Sequence, residues 1–415
     1  MEKLAELKPS WYERFQCKGA GCIYNCCQNW EISMSREEYR KWRKKQVVKK
    51  EQWDQTIELF PSGKKTDGHY AKITLGLSNQ CPLLTEDGLC HVQEKHGYNM
   101  LINTCQMYPR QSHRCFDKVE SSMSLGCERV LELLLEEKEG VLLITGNKNV
   151  SSDFRYGSRY GKEHTKHYPI LKNYYEIQTL CIILLQFEKI TMEERLLLLG
   201  IAIRRIDELS LEGNNEKISI YIEEFLQELE YIDISELMKG ISADNPLSAY
   251  YSVLTGLTYS KGDDYYSKVL DKICHKLHIK LSDDISDTAS DTPVFEIEME
   301  VYRNCRDQFS EWIKDKEYFL ENVLVSYLMF GNIPFKDLDK SLWENYLYLV
   351  WVYSMIKVSL SSYLDKDSTN EDMIHCCSVL FRRLGHNQGL FNKVIEDFNN
   401  YGNSLAHLAV LLKSC

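Results

Sequence analysis

The chain has 415 residues, 44% of them hydrophobic and 27% charged, with a formal net charge of -11 at pH 7. That length accommodates two or three domains with their own cores, and the composition is that of a globular protein, which excludes disorder of the whole. The acidic balance excludes broad nucleic-acid binding, because a protein that tracks phosphates needs a basic face to displace counterions.

The opening segment, MEKLAELKPSWYERF, lacks the apolar core and small-residue cleavage site of a signal peptide. The most apolar run, Tyr346 to Ile356, ends at Lys357 and is shorter than the roughly 20 residues that span a bilayer. A soluble cytoplasmic protein is therefore expected, with neither membrane nor nucleic acid among its partners. Its oligomeric state is not written in the sequence.

Nine of the fifteen cysteines fall in the first 127 residues. In a reducing compartment a disulfide framework gains nothing, so this density points to metal. The first group is Cys17-x4-Cys22-x3-Cys26-Cys27, with Gly19 and Gly21 between the first two thiols. Glycines there let the loop fold back so that several thiolates converge. The second group runs from Cys81-Pro82-Leu83-Leu84 to Cys90 across the turn-like Glu86-Asp87-Gly88 and reads as a short knuckle. Cys105 and Cys127 follow and are placed to fold over both groups. The candidate metal ligands are thus Cys17, Cys22, Cys26, Cys27, Cys81, Cys90, Cys105 and Cys127. Soft thiolates suit zinc or an iron-sulfur cluster. The paired C-x2-C knuckles usual for zinc are absent, and so is the C-x3-C-x2-C run of radical enzymes, because Asn29 stands where its third cysteine belongs. The six later cysteines, including Cys376 and Cys377, read as small buried hydrophobes.

Between Arg36 and Lys50 eight basic residues stand against Glu37 and Glu38. This stretch reads as a solvated helix face, with a docking patch for an acidic protein as the second reading. Within the module, Ser33 to Val48 and Cys127 to Lys138 are expected as helices and His69 to Leu75 as a short strand. A Ser/Gly/Arg/Tyr loop from Ser151 to Gly161 marks a boundary. Beyond it, apolar residues recur at helical spacing over Tyr174 to Phe187, Glu193 to Leu209, Ile218 to Leu229, Ile297 to Ile313, Tyr318 to Phe330, Leu342 to Leu360, Met373 to Leu384 and Leu390 to Leu412. The acidic stretch at 281–293 reads as an exposed linker or loop.

The expected fold is mainly α. A loop-rich cysteine module with little β covers 1–150, and an all-helical part, more bundle than solenoid, covers 151–415. No Rossmann-type methyltransferase domain is expected, since no strand leads into a glycine-rich turn. The Gly385-His386-Asn387-Gln388-Gly389 stretch follows a helical run and reads as a helix terminus.

The pattern of Phe15, Cys17, Gly19, Cys22, Cys26-Cys27, Trp30 and Ile32, then Cys81-Pro82, Leu84, Cys90 and Val92-Gln93, then Cys105 and Tyr108-Pro109-Arg110, resembles the bacterial flagellin lysine-N-methylase family. The resemblance continues through Ser122, Ser124-Leu125 and Cys127, and through YFLENVLVSYLMFGNIPF from Tyr318 to Phe335. It departs at Glu128, where family members carry Pro. What it implies is transfer of methyl groups from S-adenosylmethionine to lysine side chains of flagellin, and a 4Fe-4S cluster of structural role, with zinc as the alternative metal. Within resembling segments, Tyr327 and His386 become candidate catalytic residues and Arg383 a candidate cofactor-binding residue, beside the plainer readings of a core tyrosine and a helix-capping histidine. The competing function is a non-catalytic iron-sulfur or zinc protein for electron transfer, its helices serving as a partner-binding platform.

Overall fold

A computed structural model describes residues 2–76, 79–150, 158–241, 253–254, 256–258, 263–279, 298–386 and 389–415. The expected linker at 281–293 and most of the expected boundary loop, 151–157, lie outside the described residues.

The expected helices form. Those over Tyr174–Leu185, Met192–Leu211, Asn215–Glu228, Met299–Ile313, Tyr318–Gly331, Leu342–Tyr363 and Asn370–His386 follow the apolar periodicity closely. Two begin with reciprocal capping boxes, Thr191 with Glu194 and Ser341 with Glu344, each satisfying two otherwise orphaned amides. The Leu342–Tyr363 helix is buried on nearly every face, as a helix apolar all round must be. The helices Met192–Leu211, Asp264–Lys276, Met299–Ile313, Asn370–His386 and Leu390–Tyr401 pack against it. No helix among the described residues is long and apolar enough to cross a membrane.

Several details differ from expectation. The single helix expected over Leu390 to Leu412 is two, Leu390–Tyr401 and Leu405–Ser414. The break falls at Gly402, whose φ of +137° a helix cannot hold, and Ser404 caps the second piece. The Asp264–Lys276 helix, capped by Asp263, was not anticipated. The end of the expected boundary loop, Ser158–Tyr160, is a strand.

That strand completes a five-stranded mixed sheet. Its strands are β1 (Glu2–Pro9), β5 (Arg110–Cys115), β6 (Lys118–Met123), β7 (Leu143–Val150) and β8 (Ser158–Tyr160), in the order β7-β1-β6-β5-β8. The β1/β6 and β5/β8 pairs are parallel and the others antiparallel, which is not the all-parallel order of a Rossmann domain. A small antiparallel sheet, β2 (Ile32–Met34), β4 (Ala71–Ile73) and β3 (Ile57–Leu59), lies apart from it. Short helices over Arg36–Lys45, His91–His96 and Asn103–Met107 accompany this second sheet.

The described residues form two hydrophobic cores. The larger joins Trp11, Tyr24, the Glu128–Glu136 helix and the helical half. The smaller gathers Ile32, Met34, Trp42, Ile57, Ile73, Val92 and Ile102. The larger core therefore runs across both sides of residue 150.

The large sheet is held by buried polar contacts. Glu6 accepts hydrogen bonds from Ser121 Oγ at 2.5 Å and Lys148 Nζ at 2.7 Å, and Ser112 and Ser121 share a bond of 2.8 Å. Burial pushes the Glu6 carboxyl up, but the Lys148, Ser121 and Lys8 bonds outweigh it and hold it below the ordinary 4.5. A depressed carboxyl contributes stability that is fully present above its unfolded value and is lost as pH falls through the folded one. Thermal melts should therefore show Tm falling below about pH 4.5, and Glu6→Gln should lower Tm at neutral pH and flatten this acid limb. An acid limb unchanged in the variant refutes the assignment.

Candidate metal centre and adjoining cavity

The first cysteine loop is shaped by its own backbone. Gly19 sits at φ +58° and its amide donates to Cys17 Sγ at 3.4 Å, a conformation that glycine adopts freely. Asn25 Oδ1 accepts from the Cys27 amide at 2.8 Å, turning the chain between Cys26 and Cys27. The second group docks directly onto the first, because the Cys81 amide donates to the Cys27 carbonyl at 2.8 Å. The expected knuckle is present. Gly88, at φ +75°, closes the turn from Thr85, and Leu84 bridges to Cys90, so Cys90 returns beside Cys81. Asn25 Nδ2 ties this turn back to the first loop through the Gly88 carbonyl at 3.1 Å. Cys105 comes from the Asn103–Met107 helix and Cys127 precedes the Glu128–Glu136 helix.

The result is a chamber of about 410 Å³ walled by Cys17, Cys26, Cys27, Cys81, Cys90 and Cys105. Its remaining wall is mostly apolar, with Trp30, Trp42 and Leu101 among its parts. Cys22 and Cys127 are not on this wall, but both lie within electrostatic reach of Cys26. Burial pushes the thiols of Cys22 and Cys127 up to about 12 and that of Cys81 to about 11, and neighbouring thiols press the same way. Cys105 is raised first by burial and then by Cys81, Cys90 and Cys26. Cys26 alone moves down, through the bond from the Cys27 thiol and the charge of Arg382.

This donor set fits a soft metal group. Crowded buried thiols resist ionising together, and a bound cation supplies the countercharge that lets them do so. Among the described residues no three His, Cys, Asp or Glu side chains close on a single ion. Cys115 takes no part: it lies at the end of β5 beside the Tyr174 hydroxyl. The six later cysteines are buried.

The helical half holds this loop in place. Arg382, on the Asn370–His386 helix, donates from Nε to the Gly126 carbonyl at 2.8 Å, from Nη1 to the Asn25 carbonyl at 2.9 Å, and from Nη2 to the Tyr24 carbonyl. Its guanidinium also lies 3.6 Å from the centre of the Tyr24 ring. Glu128 accepts from the Ile23 and Tyr24 amides at 2.9 and 2.8 Å, and His375 stands 3.6 Å from it.

A second cavity of about 330 Å³ shares Cys26, Trp30, Tyr108 and Arg110 with the thiol chamber. Its other walls include Tyr24, Asp263, Tyr266, Phe330, Phe381, Arg382 and Arg383. Arg383 therefore stands on a cavity wall, 5.4 Å from the centre of the Tyr266 ring.

Tyr327 does not. It is 5% exposed, inside the larger core, with Phe381 5.4 Å away between ring centres. Burial raises its hydroxyl well above the ordinary range, with Tyr348 adding to it. Its placement is that of the plainer reading, a core tyrosine: its helix is buried almost throughout, and it lines neither of these two cavities. The His386 side chain lies outside what the structure describes. Asp263, Tyr266 and Arg382 were missed by sequence reasoning. For Arg382 a signal existed, since His375 and Arg382 are seven apart and so share a helix face.

The fold and site define an α-rich protein with a cysteine-cluster module buttressed by its helical half. The family of the FliB lysine N-methylase C-terminal domain matches residues 178–411, more than half of the chain, and the chain belongs to this family. Over 147 residues, 34% of this chain, it is 32% identical to the lysine-N-methylase of Salmonella typhimurium, covering 35% of that protein. It is 31% identical over the same length to the flagellar biosynthetic protein FliU of Salmonella muenchen, covering 84% of it. The lysine-N-methylase of Salmonella choleraesuis is 31% identical, again over 35% of its length. The aligned region thus spans about a third of the two lysine-N-methylases. No solved structure matches the chain.

The Arg382 contact requires a glycine opposite it. A Cβ on Gly126 would stand 2.7 Å from Arg382 Cγ and 3.4 Å from its Cα. Gly126→Ala should cost about 1–3 kcal/mol in urea unfolding, the usual penalty for overpacking. Gly63→Ala, with nothing within 4 Å, is the matched control and should be near neutral. Equal stabilities of the two variants would refute the close-approach argument.

Proposed function

We propose that this protein is an S-adenosylmethionine-dependent protein-lysine N-methyltransferase acting on flagellin, with a 4Fe-4S cluster of structural role seated in the thiol chamber. The observation that carries this reading is the family match over residues 178–411, joined to a module that gathers six thiols around one space. The flagellin substrate is supported by the name of a relative, a flagellar biosynthetic protein.

The cluster ligands would come from the thiols already named. A four-iron cluster takes four thiolates, each on its own iron, so its ligands stand apart instead of meeting at one point. That requirement suits a chamber whose thiols line several walls. Thiols of the first cysteine loop, the knuckle and the Asn103–Met107 helix would hold it, and a cluster bound by them would cross-link these elements.

Methyl transfer makes one bond and breaks another. The neutral lysine amine gives its lone pair to the methyl carbon, the carbon–sulfur pair returns to sulfur, and the methylated ammonium sheds its proton to water or a side chain. An exposed lysine has a pKa of about 10.4 and is almost wholly charged at neutral pH, so the site must first strip a proton. Withdrawal of the amine from water into the site would favour its neutral form.

Two measurements test this proposal. Anaerobically purified protein should be brown, with matched iron and sulfide, and Cys81→Ser or Cys105→Ser should lose most of both; a colourless protein holding zinc refutes the cluster. Incubated with S-adenosylmethionine and its cognate flagellin, the loaded protein should add methyl masses to flagellin lysines. A cluster that cycles reversibly in a redox titration while no methyl mass appears would favour the electron-transfer reading.

A further inference from the structure

The 330 Å³ cavity beside the thiol chamber is built for a small molecule of mixed character. Its volume falls within the usual range of ligand sites, about 300–1,000 Å³, and few such sites occur per protein. Its walls converge from widely separated segments: the Tyr24–Trp30 loop, Tyr108 to Gln111, Asp263 and Tyr266, Phe330, and Val379 to Gly385.

The chemistry of these walls is selective. Tyr24, Trp30, Tyr108, Tyr266, Phe330 and Phe381 present rings that stack on a flat heterocycle and attract a cation. Arg110, Arg382 and Arg383 against the single carboxylate of Asp263 give the cavity a positive excess that attracts a carboxylate. Arg382 is committed to three backbone carbonyls, and Arg110 lies over the Phe15 ring. Asp263 accepts from the Tyr24 hydroxyl and from the Tyr266 amide, at 2.9 Å for the amide, so its carboxylate is fixed in place and available to hydroxyl or ammonium groups. A lysine side chain alone would answer the rings and the carboxylate but not the positive excess of the walls. A nucleoside that carries both a sulfonium and an amino-acid carboxylate answers all three.

We infer that this cavity is the S-adenosylmethionine site, with Arg383 as the anchor for the amino-acid carboxylate and the aromatic walls around the adenine and the sulfonium. The assignment rests on the methyltransferase reading. It makes the donor site a neighbour of the thiol chamber, with Cys26, Trp30 and Tyr108 as the common wall. The helical half then contributes one side of the site and the cysteine module the other.

The test uses full-length, metal-loaded protein with S-adenosylmethionine or S-adenosylhomocysteine as the probe. Calorimetry should show Arg383→Ala weakening both by at least tenfold, and Val379→Phe, which places a ring in the cavity, abolishing detectable binding. Metal content and Tm should be unchanged for Arg383→Ala. Lys44→Ala, on an exposed helix face, should bind as the parent does. Independently of any variant, amide exchange of the parent should slow on ligand addition in peptides covering 24–30 and 379–385. Binding that persists unchanged in both cavity variants, or protection that falls elsewhere, overturns the cavity assignment and leaves the donor reading standing. If the parent binds neither probe and transfers no methyl group, the donor reading itself fails, and the assignment falls with it.

Discussion

The geometry of the site depends on one half-buried guanidinium. Arg382 reaches from the helical half into the cysteine module and binds two backbone segments there, at Tyr24 and Asn25 before the Cys26–Cys27 pair and at Gly126 before Cys127. A charge partly withdrawn from water needs partners, and a planar fork with five donors can satisfy several carbonyls at fixed angles. Those carbonyls are neutral, so the contact fixes the loop without cancelling the positive charge. The charge remains to act on its surroundings, and it is one of the reasons the Cys26 thiol is lowered while its neighbours are raised. Lysine would keep the charge at this position but lose the three-way fork.

Glu128 complements this arrangement from the other direction. Its carboxylate accepts from two consecutive amides of the same loop, and burial, which would raise its pKa, is outweighed by these bonds together with His375. The loop between Cys22 and Cys26 is therefore clamped by a cation through its carbonyls and by an anion through its amides. This also gives a physical reason for the departure at position 128 from the proline of the resembling family. Proline has no side-chain acceptor, and here the carboxylate does what the backbone of the loop requires.

Much of this was legible in the sequence, for identifiable reasons. The long helices announce themselves because their apolar residues recur over three or more turns, and the six thiols of the chamber because density and glycine spacing are local properties. The large sheet was not legible. β6 reads Lys-Val-Glu-Ser-Ser-Met, and its Glu120, Ser121 and Ser122 are as buried as its apolar residues, so the alternation that marks a half-exposed strand is absent. β1 hides in the same way, since Glu6 points into the protein to meet Ser121 and Lys148. The second cavity was illegible for a different reason: Tyr24, Tyr108, Asp263 and Arg382 are brought together only by tertiary contacts. Arg383 was reached through a resembling segment, which also drew in Tyr327, a residue the fold buries behind Phe381.

The chamber lies at a seam. Cys27, Cys81, Cys90 and Cys105 pack against the smaller core, whereas Tyr24 and Cys127 belong with the larger one. Between the two cores runs the loop of Cys17, Cys22 and Cys26, held by short hydrogen bonds and by Arg382 and not by an apolar interior of its own. A region with few buried apolar contacts is where local opening is easiest. The proposed metal group, bound by thiols across such a seam, would do more for stability than one inside a finished core, because it would link units that otherwise separate. The same seam borders the aromatic cavity through Cys26, Trp30 and Tyr108. On the proposed metal reading, loss of the metal would loosen the wall of that cavity before it unfolded the helices, which have a core of their own.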